Sequence, residues 1–109
     1  MPEERFFVLP MDGDGRPLCS KPIEVAKGMS GSVCMEVRSV FQAAIQWGAR
    51  AIVVAHNHPG GGLMPSPEDI ALTKSLIAGA RLLGLDLLDH LIIDSKRYCS
   101  IRNLNVIDF

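Results

Sequence analysis

A chain of 109 residues with 48% hydrophobic content carries the apolar material for one core, so a single domain over 1–109 is expected. A net charge of −1, from 11 basic and 12 acidic residues without any basic run, argues against direct nucleic-acid binding. Three scattered cysteines give neither a disulfide framework nor a Cys-based zinc finger, and no stretch nears the ~20 apolar residues that span a bilayer, so the sequence reads as a cytoplasmic protein without a membrane segment.

Taken in order, Phe6–Met11 is a short apolar run, and Asp12-Gly13-Asp14-Gly15 supplies turn residues that lead a hairpin into Arg16–Val25. Pro10 inside that run points to an edge position or a bulge. After the break at Gly28 and Gly31, Val37, Val40, Phe41, Ala44 and Ile45 recur at helical spacing, which predicts a helix over about Glu36–Trp47 closed by Gly48.

Ala51–Ala55 is uninterrupted and rich in β-branched residues, as expected of a central strand covered on both faces, with His56 the first residue to leave it. Residues 57–65 contain three glycines and two prolines and read as a loop. Ser66 then supplies an N-cap, Pro67 a first helical residue, and Glu68 and Asp69 the acidic first turn of a helix with Leu72, Leu76, Ala80 and Leu83 as its apolar stripe and Gly84 as its stop. Leu85–Asp94 and Arg97–Ile101 read as strands joined by a turn at Asp94-Ser95-Lys96. The order predicts an α/β (α+β) domain with a mixed sheet sandwiched by helices.

A catalytic zinc site usually has three His or carboxylate ligands and a fourth position open to water. His56, His58 and Asp69 supply such a set, two residues apart at a strand end and on the first turn of the next helix. Efficient amide hydrolysis also needs a carboxylate to carry the proton from water to the leaving amine, and that general base must come from elsewhere in the chain. Taken alone, His-x-His is usually a pair of surface or hydrogen-bonded histidines, and Ser66-x-x-Asp69 is usually a capping box.

The run His56-Asn57-His58-Pro59, six residues, Ser66, two residues and Asp69 is identical at every fixed position to the JAMM signature His-x-His-Pro-x6-Ser-x2-Asp. Ala55–Pro59, Pro65–Asp69, Leu83-Gly84-Leu85, Leu88–Ile93 and Arg97-Tyr98 together resemble the bacterial RadC branch of that JAMM/MPN+ (JAB) group, over roughly residues 4–102. The resemblance implies a JAB/MPN, cytidine-deaminase-like architecture and a Zn²⁺-dependent metallopeptidase or isopeptidase in which water activated at the metal attacks an amide carbonyl. It carries the metal-ligand role to His56, His58 and Asp69, the general-base role to Glu4 with Glu24 and Glu36 in reserve, and an oxyanion-stabilising role to Ser66.

The same resemblance implies a peptide or protein substrate bound as an extended segment. The competing reading is a non-catalytic, DNA-repair-associated module that binds protein or DNA and retains the zinc site. Two departures stand out: the helix-hairpin-helix region common ahead of this domain in RadC proteins is absent from the sequence, and the loop reads Gly60-Gly61-Gly62-Leu63-Met64 where relatives more often carry serine and a polar residue. His90, set in an apolar strand pattern, reads as a structural histidine and not a ligand.

Overall fold

The computed structural model describes residues 4–27, 33–58, 60 and 62–109, with backbone only for 33–36. Strand β1 spans Arg5–Met11, β2 Ile23–Lys27, helix α1 Val33–Gln46, β3 Ala51–Asn57, helix α2 Pro67–Leu83, β4 Asp86–Ile93 and β5 Tyr98–Ser100, with a short 3-10 turn at Arg102–Leu104. The strands form one five-stranded sheet ordered β2-β1-β3-β4-β5, in which β3 and β4 run parallel and the remaining neighbours antiparallel. The expected α+β class with a mixed sheet is what forms. None of the described helices is long and apolar enough to cross a membrane.

Local chemistry accounts for the turns. The Asp12 side chain accepts from the amides of Asp14 and Arg16 and Gly15 takes φ +78°, so the chain reverses after β1 as its composition foretold. The return is irregular until Ile23, apart from a bridge between Met11 and Pro17, so β2 is shorter than the predicted Arg16–Val25 arm. Pro10 lies beyond the last β2 partner of β1, where a missing N–H costs that pairing nothing. Asp94 builds the second turn by accepting from the amides of Lys96 and Arg97.

Helix α1 begins three residues earlier than its periodicity suggested. Helix α2 matches its punctuation: Ser66 caps it in extended conformation, Pro67 opens it, and Gly84 ends it at φ +73° with its amide on Ala80 and Arg81 carbonyls. Leu72, Leu76 and Ala80 are buried as expected, joined by Thr73 and Ile77, whereas Leu83 is exposed at the helix end.

The two helices lie side by side on the sheet face that carries Phe6, Val8, Ile52, Val54 and Leu87, and all of these share one core. Burial along β3 alternates accordingly, with Val53 and Ala55 only half-buried on the other face. The sequence reading had placed helices over both faces. A continuous apolar run does not distinguish full cover from one covered face flanked by neighbouring strands, and β3 is of the second kind.

One irregularity in β4 bears on the site. Ile52 pairs with Leu87 but Val53 pairs with Asp89, so Leu88 is an extra residue in a bulge. Strict alternation from Leu87 would turn Asp89 toward the helices and His90 away. The bulge reverses this: His90 is buried on the helix side, and Asp89 holds the chain end by accepting from Ser100 Oγ and the Arg102 amide.

The helices approach so closely that a Cβ added at Gly79 would stand 2.6 Å from Cε2 of Phe41, whose ring is buried in the core. Gly79→Ala should therefore lower stability by about 1–3 kcal/mol, although alanine is the better helix former by about 1 kcal/mol. Urea denaturation of Gly79→Ala, Phe41→Leu and the double variant checks this, with the double variant less destabilised than the sum of the single changes.

Candidate metal centre

His56 lies inside β3, paired with Phe6 on one side and Ile92 on the other, and so leaves the strand later than its sequence suggested. Being held on both sides fixes its backbone, and its ring is fixed by stacking on Phe6 with centroids 5.7 Å apart and planes 10° apart. His58 follows the strand end by one residue, and the two-residue period of extended chain turns it to the same side. Asp69 arrives from the first turn of α2, at the third helical position.

The three side chains meet. His56 Nε2 lies 3.2 Å from His58 Nε2 and 3.0 Å from Asp69 Oδ1, and His58 Nε2 lies 2.8 Å from Asp69 Oδ2. Among the described residues this is the grouping of His, Cys, Asp and Glu able to hold a metal ion, with ligand atoms within 4.8 Å of one another. Ligands bound tetrahedrally at ~2.0–2.2 Å stand roughly 3.3–3.6 Å apart, close to the separations seen.

The donor inventory explains why a cation suits this place. His58 Nδ1 lies 3.0 Å from the carbonyl of Gly62, which can only accept, so Nδ1 carries the hydrogen and Nε2 of the neutral ring presents a lone pair. Asp69 offers two carboxylate oxygens, and its Oδ2 already accepts from the Ser66 amide at 2.8 Å. His56 Nδ1 is taken up by His90 at 2.8 Å, which leaves Nε2 facing the same point. With neutral imidazoles, lone pairs converge there with no hydrogen between them, and a divalent cation satisfies them all.

Burial works to raise the Asp69 carboxyl, but hydrogen bonds from His56, the Ser66 amide and His58, the two rings donating only when they are protonated, outweigh it and hold the group below the ordinary 3.8. Asp69 therefore stays ionised, as a metal ligand must. His90 is wholly buried, and desolvation, reinforced by His56, lowers its pKa to about 3, so its ring is neutral.

The helper residues are disposed unequally. Ser66 Oγ accepts from the Asp69 amide at 3.1 Å and closes a reciprocal capping box, so Asp69 both caps the helix and faces the histidines. Its hydroxyl hydrogen is not consumed by that contact. Glu4 immediately precedes β1, half-buried, and lies two residues before Phe6; extended chain would put both on the side where His56 stands. Glu24 is paired with Phe7 in the register, on the opposite side from Phe6, and its carboxylate lies 3.5 Å from Arg5 Nε, so it belongs to a surface ion pair. Glu36 stands in α1, with its side chain outside the described residues, as are Pro59 and Gly61 of the loop.

Two contributors were not read from the sequence as part of this site. His90 is indeed a hydrogen-bonded core histidine, but one of its partners is His56. Thr73, which lies 2.6 Å from His90 Nδ1, was passed over within an apolar helix stripe. Its signal was its position four residues after Asp69, on the same helix face.

Comparison with known proteins agrees with this geometry. Residues 1–106 match the family described as RadC-like JAB domain. A UPF0758 protein of Nostoc sp. is 43% identical over 105 residues, which cover 96% of this chain and 42% of that protein. One from Synechocystis sp. is 41% identical over 100 residues, 92% of this chain and 40% of its own length, and one from Staphylococcus carnosus is 49% identical over 73 residues, 67% and 32% respectively. The chain thus spans about two fifths of the length of its cyanobacterial relatives. A His-His-Asp cluster on a mixed sheet and a match over nearly every residue establish that the chain belongs to the RadC-like JAB domain family.

Proposed function

We propose that this domain is a zinc-dependent hydrolase of amide bonds, peptide or isopeptide, with His56, His58 and Asp69 as the metal ligands. The observation that carries the reading is the convergence of His56 Nε2, His58 Nε2 and both Asp69 oxygens, with neighbouring pairs 2.8 to 3.2 Å apart. When bound there with an open position, a zinc ion lowers the pKa of bound water and polarises a carbonyl. The remaining tasks fall to the protein's own side chains.

Glu4 takes the proton from the attacking water and returns it to the leaving amine, a role favoured by its place just ahead of Phe6 at the His56 end of β1. Ser66 turns its free hydroxyl hydrogen toward the oxyanion while its oxygen stays on the Asp69 amide. The substrate is an extended peptide segment, and the backbone freedom of Gly60 and Gly62, where an added Cβ would meet nothing within 4 Å among the described residues, leaves room for it beside the loop. A full-length relative's partners, including any link to DNA repair, belong to the protein as a whole.

Elemental analysis of protein purified without chelator should find one zinc per chain, lost in His56→Ala and in Asp69→Ala. Glu4→Gln should keep the zinc and lose cleavage of peptide and isopeptide libraries by 100-fold or more. A wild-type protein that carries no metal and takes none up ends the proposal. A zinc-loaded protein that cleaves nothing and binds DNA with a steep salt dependence would replace it with the binding-module reading.

The metal-free fold should also report on Asp69. Its folded pKa is depressed, so its ionised form stabilises the fold fully above the unfolded value near 3.8, and this contribution is lost as pH falls from there toward the folded value. In chelator-treated protein, Asp69→Asn should be less stable than wild type by roughly 1–3 kcal/mol at pH 6, and the gap should narrow below pH 3.8. Thermal melts across that range measure it.

A further inference from the structure

Behind the candidate ligands runs a buried chain of hydrogen bonds whose direction follows from its last acceptor. Thr73 Oγ1 lies 2.7 Å from the carbonyl of Asp69, and a carbonyl can only accept, so the single hydroxyl hydrogen of Thr73 is committed there. Thr73 Oγ1 must then accept from His90 Nδ1, 2.6 Å away, and that nitrogen carries a hydrogen. His90 is 0% exposed and, among the described residues, its ring is hydrogen-bonded to Thr73 and His56, so in the neutral ring the other nitrogen, Nε2, presents a lone pair, and His56 Nδ1, 2.8 Å away, must donate to it. His56 Nε2 is left bare, facing Asp69 and His58.

We infer that Thr73 and His90 are positioning residues which fix His56 in its Nδ1–H tautomer and thereby set the domain's affinity for its divalent cation. The inference rests on the metal reading above and extends it to two residues outside the ligand set. The chain starts on the main-chain carbonyl of Asp69, so one ligand's helix determines the hydrogen placement of another ligand's ring through a loop of four groups. Phe6 closes this loop off from water, stacked on His56 and edge-on to His90, each at 5.7 Å between centroids. Outer partners of metal-bound histidines typically contribute 10–100-fold to metal affinity.

Thr73→Val keeps the shape of the side chain and removes both hydrogen-bonding functions, whereas Thr73→Ser keeps them. With its partner gone, His90 can move its hydrogen to Nε2 to face His56, which forces the His56 hydrogen to Nε2, the atom a cation needs bare. The test pairs two measurements on the full chain. Nitrogen-15 NMR of imidazoles in metal-free wild type should show His56 and His90 both protonated at Nδ1. Competition titration with zinc chloride against a chelator should show Thr73→Val binding 10–100-fold more weakly than wild type and Thr73→Ser within about threefold of it.

An Nε2–H signature for either ring in wild type overturns the inference, whatever the variants do. Thr73→Val that folds and binds zinc as wild type does also overturns it, as does a Thr73→Ser no tighter than Thr73→Val. The NMR measurement needs no metal, so wild type that takes up no zinc but shows the stated tautomers would sink the metal reading while the hydrogen-bond chain stands.

Discussion

Everything distinctive about this domain follows from one imidazole held inside a β-strand. His56 has paired strands on both sides and an aromatic ring stacked on it, so its Nε2 points at a fixed place. Most candidate ligands on loops would have to be gathered by the ion itself, at a cost in conformational entropy. Here one candidate ligand is set by the sheet and another by a capped helix turn, and only His58 depends on the loop, where the Gly62 carbonyl orients its ring.

The helix cap and the candidate metal ligand are the same carboxylate, and this union is economical. A capping box on its own stabilises a helix by about 1 kcal/mol. In α2 it also orients Asp69, because the Ser66 amide anchors Oδ2 and leaves both oxygens facing the histidines. Taken alone in the sequence, Ser66-x-x-Asp69 reads as a structural capping box. A carboxylate has about four lone-pair directions, however, and the geometry uses one for the cap and others for the cluster.

How much of this could be read in advance depended on how local the information was. The ligand trio, the N-cap, the closing glycine and the Asp-rich turns lie in short stretches where residue type and spacing carry the message, and the folded chain brings His56, His58 and Asp69 together. The family itself was legible from the same segments. The placement of both helices on one face was not, since helical periodicity marks which stripe is buried and not which side of a sheet receives it. The role of Glu24 was likewise hidden, because only the β1–β2 register shows that it faces away from His56 beside Arg5.

His90 is the sharpest case. Counted along β4 with a period of two, it falls on the face opposite Leu87, and the sequence offers no sign of the extra residue at Leu88 that turns it over. The bulge has two effects at once: it removes Asp89 from the core, where an unpaired carboxylate would be costly, and it delivers a neutral imidazole to the back of His56. A strand without the bulge would force Asp89 and His90 to exchange places, so the irregularity of the sheet and the hydrogen placement on His56 are a single structural decision. The register of β4 against β3 therefore belongs to the chemistry of the site as much as the ligands do.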